Sequence, residues 1–297
     1  GGGQDLQPLQ ELTQALANLN SSVAEVKNQL REMDELIRVA HNIQCNLIGR
    51  TQQGFIHFLP RADISLRVSL AEHCNLNCAG CDHFSPLAKP RFADFDEAAR
   101  DFDRLSKLFE GKMGFIHLEG GEPLLHPDIN KFLTMARQKF PKSRINIVTN
   151  GLKLAGMPED FWKACNQNDI VIFPTKYPIS ANYEAAEQKA KAYNVRFDYF
   201  NAGEQIKTLF KLPMDLDGTQ DGRRSFFFCH RANNCIYLQN GRLYTCTVAP
   251  TARHFDAHFG THIFDEEANS IDIHKAASAA EILEFLAKPI PFCRYCM

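Results

Sequence analysis

Cys74, Cys78 and Cys81 fall within eight residues, at intervals of three and two. Such a loop brings three thiolates around one point, compact enough to wrap a cubane iron-sulfur cluster. Clusters of this kind are normally held by four cysteines. A loop supplying three leaves one iron open to a ligand that is not protein. The spacing also permits a zinc site completed by a distant cysteine or histidine. Downstream lies a second compact motif, Glu119-Gly120-Gly121-Glu122-Pro123, at the end of a predicted strand.

Taken in that order on consecutive strand ends, the two motifs resemble the radical S-adenosylmethionine superfamily. There a CX3CX2C loop follows the first strand of a partial (β/α)6 barrel, and a GGEP-type motif closes the second. The resemblance implies that Cys74, Cys78 and Cys81 each bind an iron of a 4Fe-4S cluster. The fourth iron would take the amino and carboxylate groups of S-adenosyl-L-methionine. Gly120, Gly121, Glu122 and Pro123 would receive the amino group; glycines let backbone approach a ligand, and a carboxylate complements an ammonium. Asn150, within Thr149-Asn150-Gly151, and Thr175, beside Lys176, take the positions from which such barrels contact ribose or carboxylate. For Thr175 and Lys176, solvent-facing loop positions are an equal reading. Many members place an aromatic residue before the third cysteine. Here that position is Gly80, so the adenine contact is expected from Phe84 or His83. The implied chemistry is reductive cleavage of the cofactor to a 5'-deoxyadenosyl radical, which abstracts a substrate hydrogen in a water-poor barrel.

A second cysteine set lies toward the end of the chain. Cys229 and Cys246, with Gly241 four intervening residues before the latter, precede Cys293-Arg-Tyr-Cys296. This resembles the Twitch module, a shortened SPASM extension. The resemblance implies that Cys229, Cys246, Cys293 and Cys296 close an auxiliary 4Fe-4S cluster that carries electrons. A zinc knuckle or free buried thiols are the plainer reading. Cys235 sits too near Gly241 for that pattern. With Cys45 and Cys165 it is left over, and it is a weak candidate hydrogen donor to a substrate radical; buried structural thiols are commoner.

The elements that must position these residues follow from periodicity. Strands are predicted at Ser65–Glu72, Phe115–Glu119, Asn146–Thr149, Ile170–Pro174 and Val195–Phe200. Helices are predicted near Phe95–Phe109, Ile129–Lys139, Asp160–Cys165 and Tyr183–Tyr193. The alternation implies an α/β fold with a parallel sheet whose sites lie at the carboxyl ends of its strands. With the motifs, this makes residues 49–205 a partial TIM-like barrel and residues 206–297 a small Twitch-like iron-sulfur module. Upstream, Leu9, Leu12, Leu16, Leu19, Val23, Val26, Leu30, Met33, Ile37 and Ala40 alternate steps of three and four, a heptad seam. Residues 1–48 are therefore expected to form a coiled-coil helix that drives homo-oligomerisation. Gly1-Gly2-Gly3 reads as a tag scar, with the natural chain extending upstream.

Other groupings carry weaker expectations. His254, His258 and His262 recur every fourth residue; surface or substrate-contacting histidines are expected before a metal site. Arg223, Arg224 and Arg231 would hold an anionic substrate group or form a solvated face. Phe226, Phe227 and Phe228 are expected to pack a small core. With 33 basic and 35 acidic side chains the net charge is -2, which points to neither nucleic acid nor an anionic membrane as partner. The absence of a secretory signal or long apolar run makes the cytoplasm the expected compartment. A reducing electron donor such as flavodoxin or ferredoxin would be required. The expected substrate is a small polar, carbohydrate-like molecule undergoing oxidation or epimerisation. A peptide-modifying maturase is one alternative, although no leader-binding domain is visible. A non-catalytic coiled-coil scaffold with structural metal sites is another.

Overall fold

The computed structural model describes residues 7–61, 63–207, 209 and 213–297, without side-chain detail for 7–10, 34–35, 38–50 and 53–54. The proposed scar at 1–3 and the side chains of Leu9, Ala40 and Cys45 lie outside the described residues. Two compact units are present, Gly1–Gln52 and Gln53–Met297. Helix α1 spans Gln7–His57. Its seam residues from Leu12 (63%) to Ile37 (62%) are all exposed, so nothing within the first unit covers them. No helix among the described residues is long and apolar enough to cross a membrane.

The second unit is built on one open sheet. Its strands are β1 (Ser65–Ala71), β2 (Phe115–Gly120), β3 (Arg144–Thr149), β4 (Ile170–Pro174), β5 (Arg196–Phe197), β6 (Ile236–Gln239), β7 (Arg242–Tyr244) and β8 (Ile271–Asp272), in the order β5-β4-β3-β2-β1-β6-β7-β8. Neighbours from β5 to β6 are parallel, and β7 and β8 join antiparallel. The sheet does not close, as a partial barrel requires. Beyond residue 205 the chain adds β6 to β8 to the free edge of β1, while Phe226, Cys246, Phe292 and Cys293 anchor a second, smaller core.

Crossover helices α2 (Phe95–Leu108), α3 (Ile129–Lys139), α4 (Glu159–Gln167) and α5 (Tyr183–Ala192) match the predicted segments within two residues. The Asp94 side chain caps α2 by accepting from the Glu97 amide, with Asp96 and Glu97 favourably placed in its first turn. One face of the sheet packs on these helices through Leu66, Val68, Ile116, Leu118, Ile145, Ile147, Ile170 and Ile172, all at most 4% exposed. The predicted strand at Val195–Phe200 shortens to Arg196–Phe197. After the Asp198 amide bonds to Ile172, Asn201 and Ala202 turn to positive φ and end the extension.

Candidate active site

The expected cofactor residues all fall at carboxyl ends of parallel strands: the cysteine loop after β1, Gly121 to Pro123 after β2, Asn150 after β3 and Thr175 after β4. Backbone contacts fuse these ends. The Gly121 amide donates to the Ala71 carbonyl at 2.6 Å and the Glu122 amide to that of His73 at 3.1 Å. A Cβ on Gly120 would lie 2.2 Å from the Ala71 oxygen, and one on Gly121 would lie 2.1 Å from that of His73. The glycine pair is thus required by the approach of one strand end to another. Glu122 reaches the other way. It accepts from the Thr149 hydroxyl (2.6 Å), the Asn150 amide (2.9 Å) and the Leu124 amide (3.1 Å). Asn150 in turn donates to the Asn75 side chain at 2.7 Å and to the Cys74 sulfur at 3.5 Å. The Tyr183 hydroxyl lies within hydrogen-bond reach of the Asn150 and Thr175 carbonyls, and Lys176 Nζ sits 3.9 Å from the centre of the Tyr199 ring.

These residues fit an ammonium-bearing ligand. Burial pushes the Glu122 carboxyl above its ordinary range, against the pull of its three hydrogen bonds. A carboxylate has about four lone-pair sites, so one is left, and an ammonium placed there would favour the ionised form.

The cysteine loop fits a thiolate-held cluster. Cys74, Cys78 and Cys81 are free and partly exposed. Burial raises the Cys74 and Cys78 thiols, with the charge of Cys81 adding to both. At Cys81 burial also acts upward, but the hydrogen bond and charge of His83 overcome it and favour the thiolate. Cys81, Asp82 and His83 form the one group of three or more such side chains, among the described residues, with donor atoms all within 4.8 Å. Asp82 already accepts from Arg231 at 2.9 Å, and His83 lies 3.3 Å from Glu119. A single cation held by this trio would have to displace both partners. His83, one of the two expected adenine contacts, is therefore engaged beneath the loop, while Phe84 packs on Phe255.

A polar stripe on the inner face was not anticipated. Ser65, Phe115 and Arg144 are in register across β1 to β3, followed by Arg67, His117 and Asn146. Next inward, Ser69 pairs with Glu119. Arg67 donates to Glu119 at 2.6 Å; although burial opposes ionisation, Arg67 and His83 hold Glu119 down at about 2. Burial, reinforced by the Arg67 charge, lowers His117 to about 4, so it is neutral at pH 7. A cavity of about 440 Å³ opens where the stripe begins, lined by Arg61, Ser65, Phe115, His117, Arg144 and Phe173 among others. The signal was present in the strand sequences, where polar residues alternate with apolar ones.

In the C-terminal part, Cys246 is buried, and its thiol is raised by burial and by Cys229 and Cys296. Burial together with neighbouring thiols also pushes Cys293 and Cys296 up to about 12. These four sulfurs lie close enough to act on one another. Cys235 stands apart, and its neighbours are Arg67, Glu119 and Arg231. His254 lies 3.5 Å from Glu72, and His262 falls beyond Gly260, which ends helix α7 (Val248–Phe259). The three histidines form no donor group within 4.8 Å among the described residues. Phe226 is fully buried in the smaller core, whereas Phe228 is 52% exposed.

Residues 68–173 match the model of the Radical SAM superfamily. Molybdenum cofactor biosynthesis protein 1 of Bos taurus is 37% identical over 101 residues, 33% of this chain and 16% of that protein. The GTP 3',8-cyclase of Stenotrophomonas maltophilia (strain K279a) is 35% identical over 91 residues, covering 30% and 27%. The chain thus spans less than a third of the length of the curated relatives it matches. Among solved structures, BtrN in complex with AdoMet and 2-DOIA is similar in fold. Its TM-score is 0.52 at 16% identity, covering 80% of this chain and 94% of that one. The region at residues 68–173, which bears both the cysteine loop and the Gly-Gly-Glu-Pro turn, is thus a Radical SAM domain.

Proposed function

We infer that this radical SAM enzyme removes a hydrogen atom from a small polar, carbohydrate-like substrate on the inner face of its sheet, in an oxidation or epimerisation. The stripe from the 440 Å³ cavity through Arg67, His117 and Asn146 to Glu119 is the observation that carries this reading. A surface so rich in hydrogen-bonding groups favours a ligand that can satisfy them. The relatives named for GTP and the BtrN structure holding AdoMet and 2-DOIA are in keeping with a small-molecule substrate.

A 4Fe-4S cluster on Cys74, Cys78 and Cys81, with S-adenosyl-L-methionine against Gly120 to Pro123, Asn150 and Thr175, would supply the hydrogen-abstracting radical. The chain's own groups do the positioning. Glu122 offers its remaining lone pair to the ammonium, and Asn150 steadies Cys74. Arg67 and His117 orient the substrate by donating and accepting hydrogen bonds. The helix-side core keeps water from reaching the site through the sheet.

Cys229, Cys246, Cys293 and Cys296 are read as auxiliary cluster ligands. Their sulfurs interact, yet no three cysteine sulfurs among the described residues lie within 4.8 Å of one another. Four thiolates on one tetrahedral zinc, with Zn–S of about 2.3 Å, would stand about 3.8 Å apart. An external reductant is required, and the exposed seam of α1 supports self-association.

Anaerobic reconstitution with iron and sulfide counting, followed by mass spectrometry for 5'-deoxyadenosine, tests the reading. About eight irons per chain are expected, since each centre contributes four, with 5'-deoxyadenosine formed on reduction. One or two tightly held zinc ions and no cofactor cleavage would sink it.

A further inference from the structure

The loop carrying the third cysteine has few restraints of its own. Between Cys78 and Phe84 the backbone contacts are short-range, among them Cys81 amide to Cys78 carbonyl, Phe84 amide to Cys81 carbonyl and Leu87 amide to Phe84 carbonyl, with Gly80 and Phe84 at positive φ. Its other restraints are largely distant in sequence. Arg231 donates to the Asp82 carboxylate at 2.9 Å, the Thr251 hydroxyl lies 3.2 Å from the Asp82 carbonyl, and Phe255 packs on Phe84. All three reach the loop from the C-terminal part. His83 links the loop to the sheet through Glu119 and through its ring contact with Tyr237.

Arg231 is itself held by that part. Its backbone amide donates to the Cys229 sulfur at 3.4 Å. Two residues on, the Asn233 amide bonds to Thr245, the residue before Cys246, and the Asn233 side chain holds the carbonyls of His57 and Leu59. One side chain therefore spans from the residue after Cys81 to the turn that starts at Cys229. The Arg231 side chain is 13% exposed and that of Asp82 32%, so water screens the pair only in part.

We propose that Arg231 is a positioning residue that fastens the Cys81 loop to the Cys229 turn, so that the two cysteine sets take shape together. The proposal deepens the cluster reading above, but the fastening itself is a property of the polypeptide. Movement at the C-terminal cysteines would be passed to Cys81 through this ion pair, with Thr251 and Phe255 sharing the load.

Hydrogen exchange on the full chain, with iron and sulfide measured on the same samples, tests it. Arg231→Met leaves Asp82 with His83 alone and should speed exchange in peptides covering 78–84 by at least about tenfold, given the cost of unpairing a partly buried charge. Arg231→Lys, which keeps charge but loses the planar fork, should fall between. The reversed pair, Asp82→Arg with Arg231→Asp, should recover part of the protection. Iron bound per chain should drop in step. Wild-type exchange over 78–84 in both Arg231→Met and Arg231→Lys overturns the proposal. If the wild-type chain binds no iron but Arg231→Met still loosens 78–84, the fastening stands and the cluster assignment falls.

Discussion

Glu122 and Thr149, on the turn after β2 and at the end of β3, meet carboxylate to hydroxyl at 2.6 Å with both side chains almost fully buried. This contact fastens one strand end to the next and leaves the carboxylate facing the same rim as the cysteine loop. Replacing Glu122 with Gln keeps the size but sets an amide N–H against donors that now have acceptors. Iron content should hold near the wild-type level, while S-adenosyl-L-methionine binding weakens at least about tenfold, the scale of one charged hydrogen bond. Equilibrium binding to the reconstituted protein checks this, and unchanged affinity would remove Glu122 from the cofactor site.

The two adjacent glycines make a separate prediction. Gly121→Ala places a methyl 2.1 Å from a backbone oxygen, so β1 and β2 must part. A loss of about 2 kcal/mol or more is expected from such overpacking, with reduced iron retention. Gly156→Ala, where nothing lies within 4 Å, is the matched control. Thermal or urea unfolding of the two variants provides the comparison.

His117 predicts a pH dependence. Its folded pKa of about 4 lies below its ordinary value of 6.5, through burial and the Arg67 charge. Between those values the unfolded chain takes up a proton that the folded chain refuses, so stability falls as pH drops from 6.5 toward 4. The slope from this group is at most about 1.4 kcal/mol per pH unit. His117→Gln should flatten that part of a urea-unfolding series; an unaltered slope would show that His117 titrates normally.

The α1 seam predicts oligomerisation. Leu19→Glu combined with Val26→Glu puts charge on positions that are 61% and 54% exposed in the single chain. Light scattering should show the mass fall to that of a monomer, with the circular dichroism of the second unit preserved. A wild-type protein that is already monomeric would refute the seam's role.

Much of the fold could be read from the sequence because its strongest signals are local. The strand after which Cys74 falls, the Gly-Gly-Glu-Pro turn and the crossover helices each carry their own periodicity or spacing. What escaped were relationships between distant segments. Arg67 and Glu119 are 52 residues apart and Arg231 and Asp82 are 149 apart; no pattern in either neighbourhood announces the other. Glu119 was visible as the head of a motif, but its role as the anchor for Arg67 and His83 depends on strand register. The alternation in Ser65-Leu-Arg-Val-Ser and Phe115-Ile-His-Leu-Glu was legible. Beyond marking strands it signals one polar face, since a parallel sheet covered on both faces would carry unbroken apolar runs.

On the proposed reading, the in-register row of Arg67, His117 and Asn146 would also act as a sieve for hydration. Any molecule advancing from the outer cavity would strip water from Arg67 and His117 and from itself, since Asn146 and Glu119 are already buried. A guest rich in hydroxyls can replace each lost contact as it moves inward. A greasy one of equal size meets a rising desolvation barrier, and is turned back before it reaches the reactive rim.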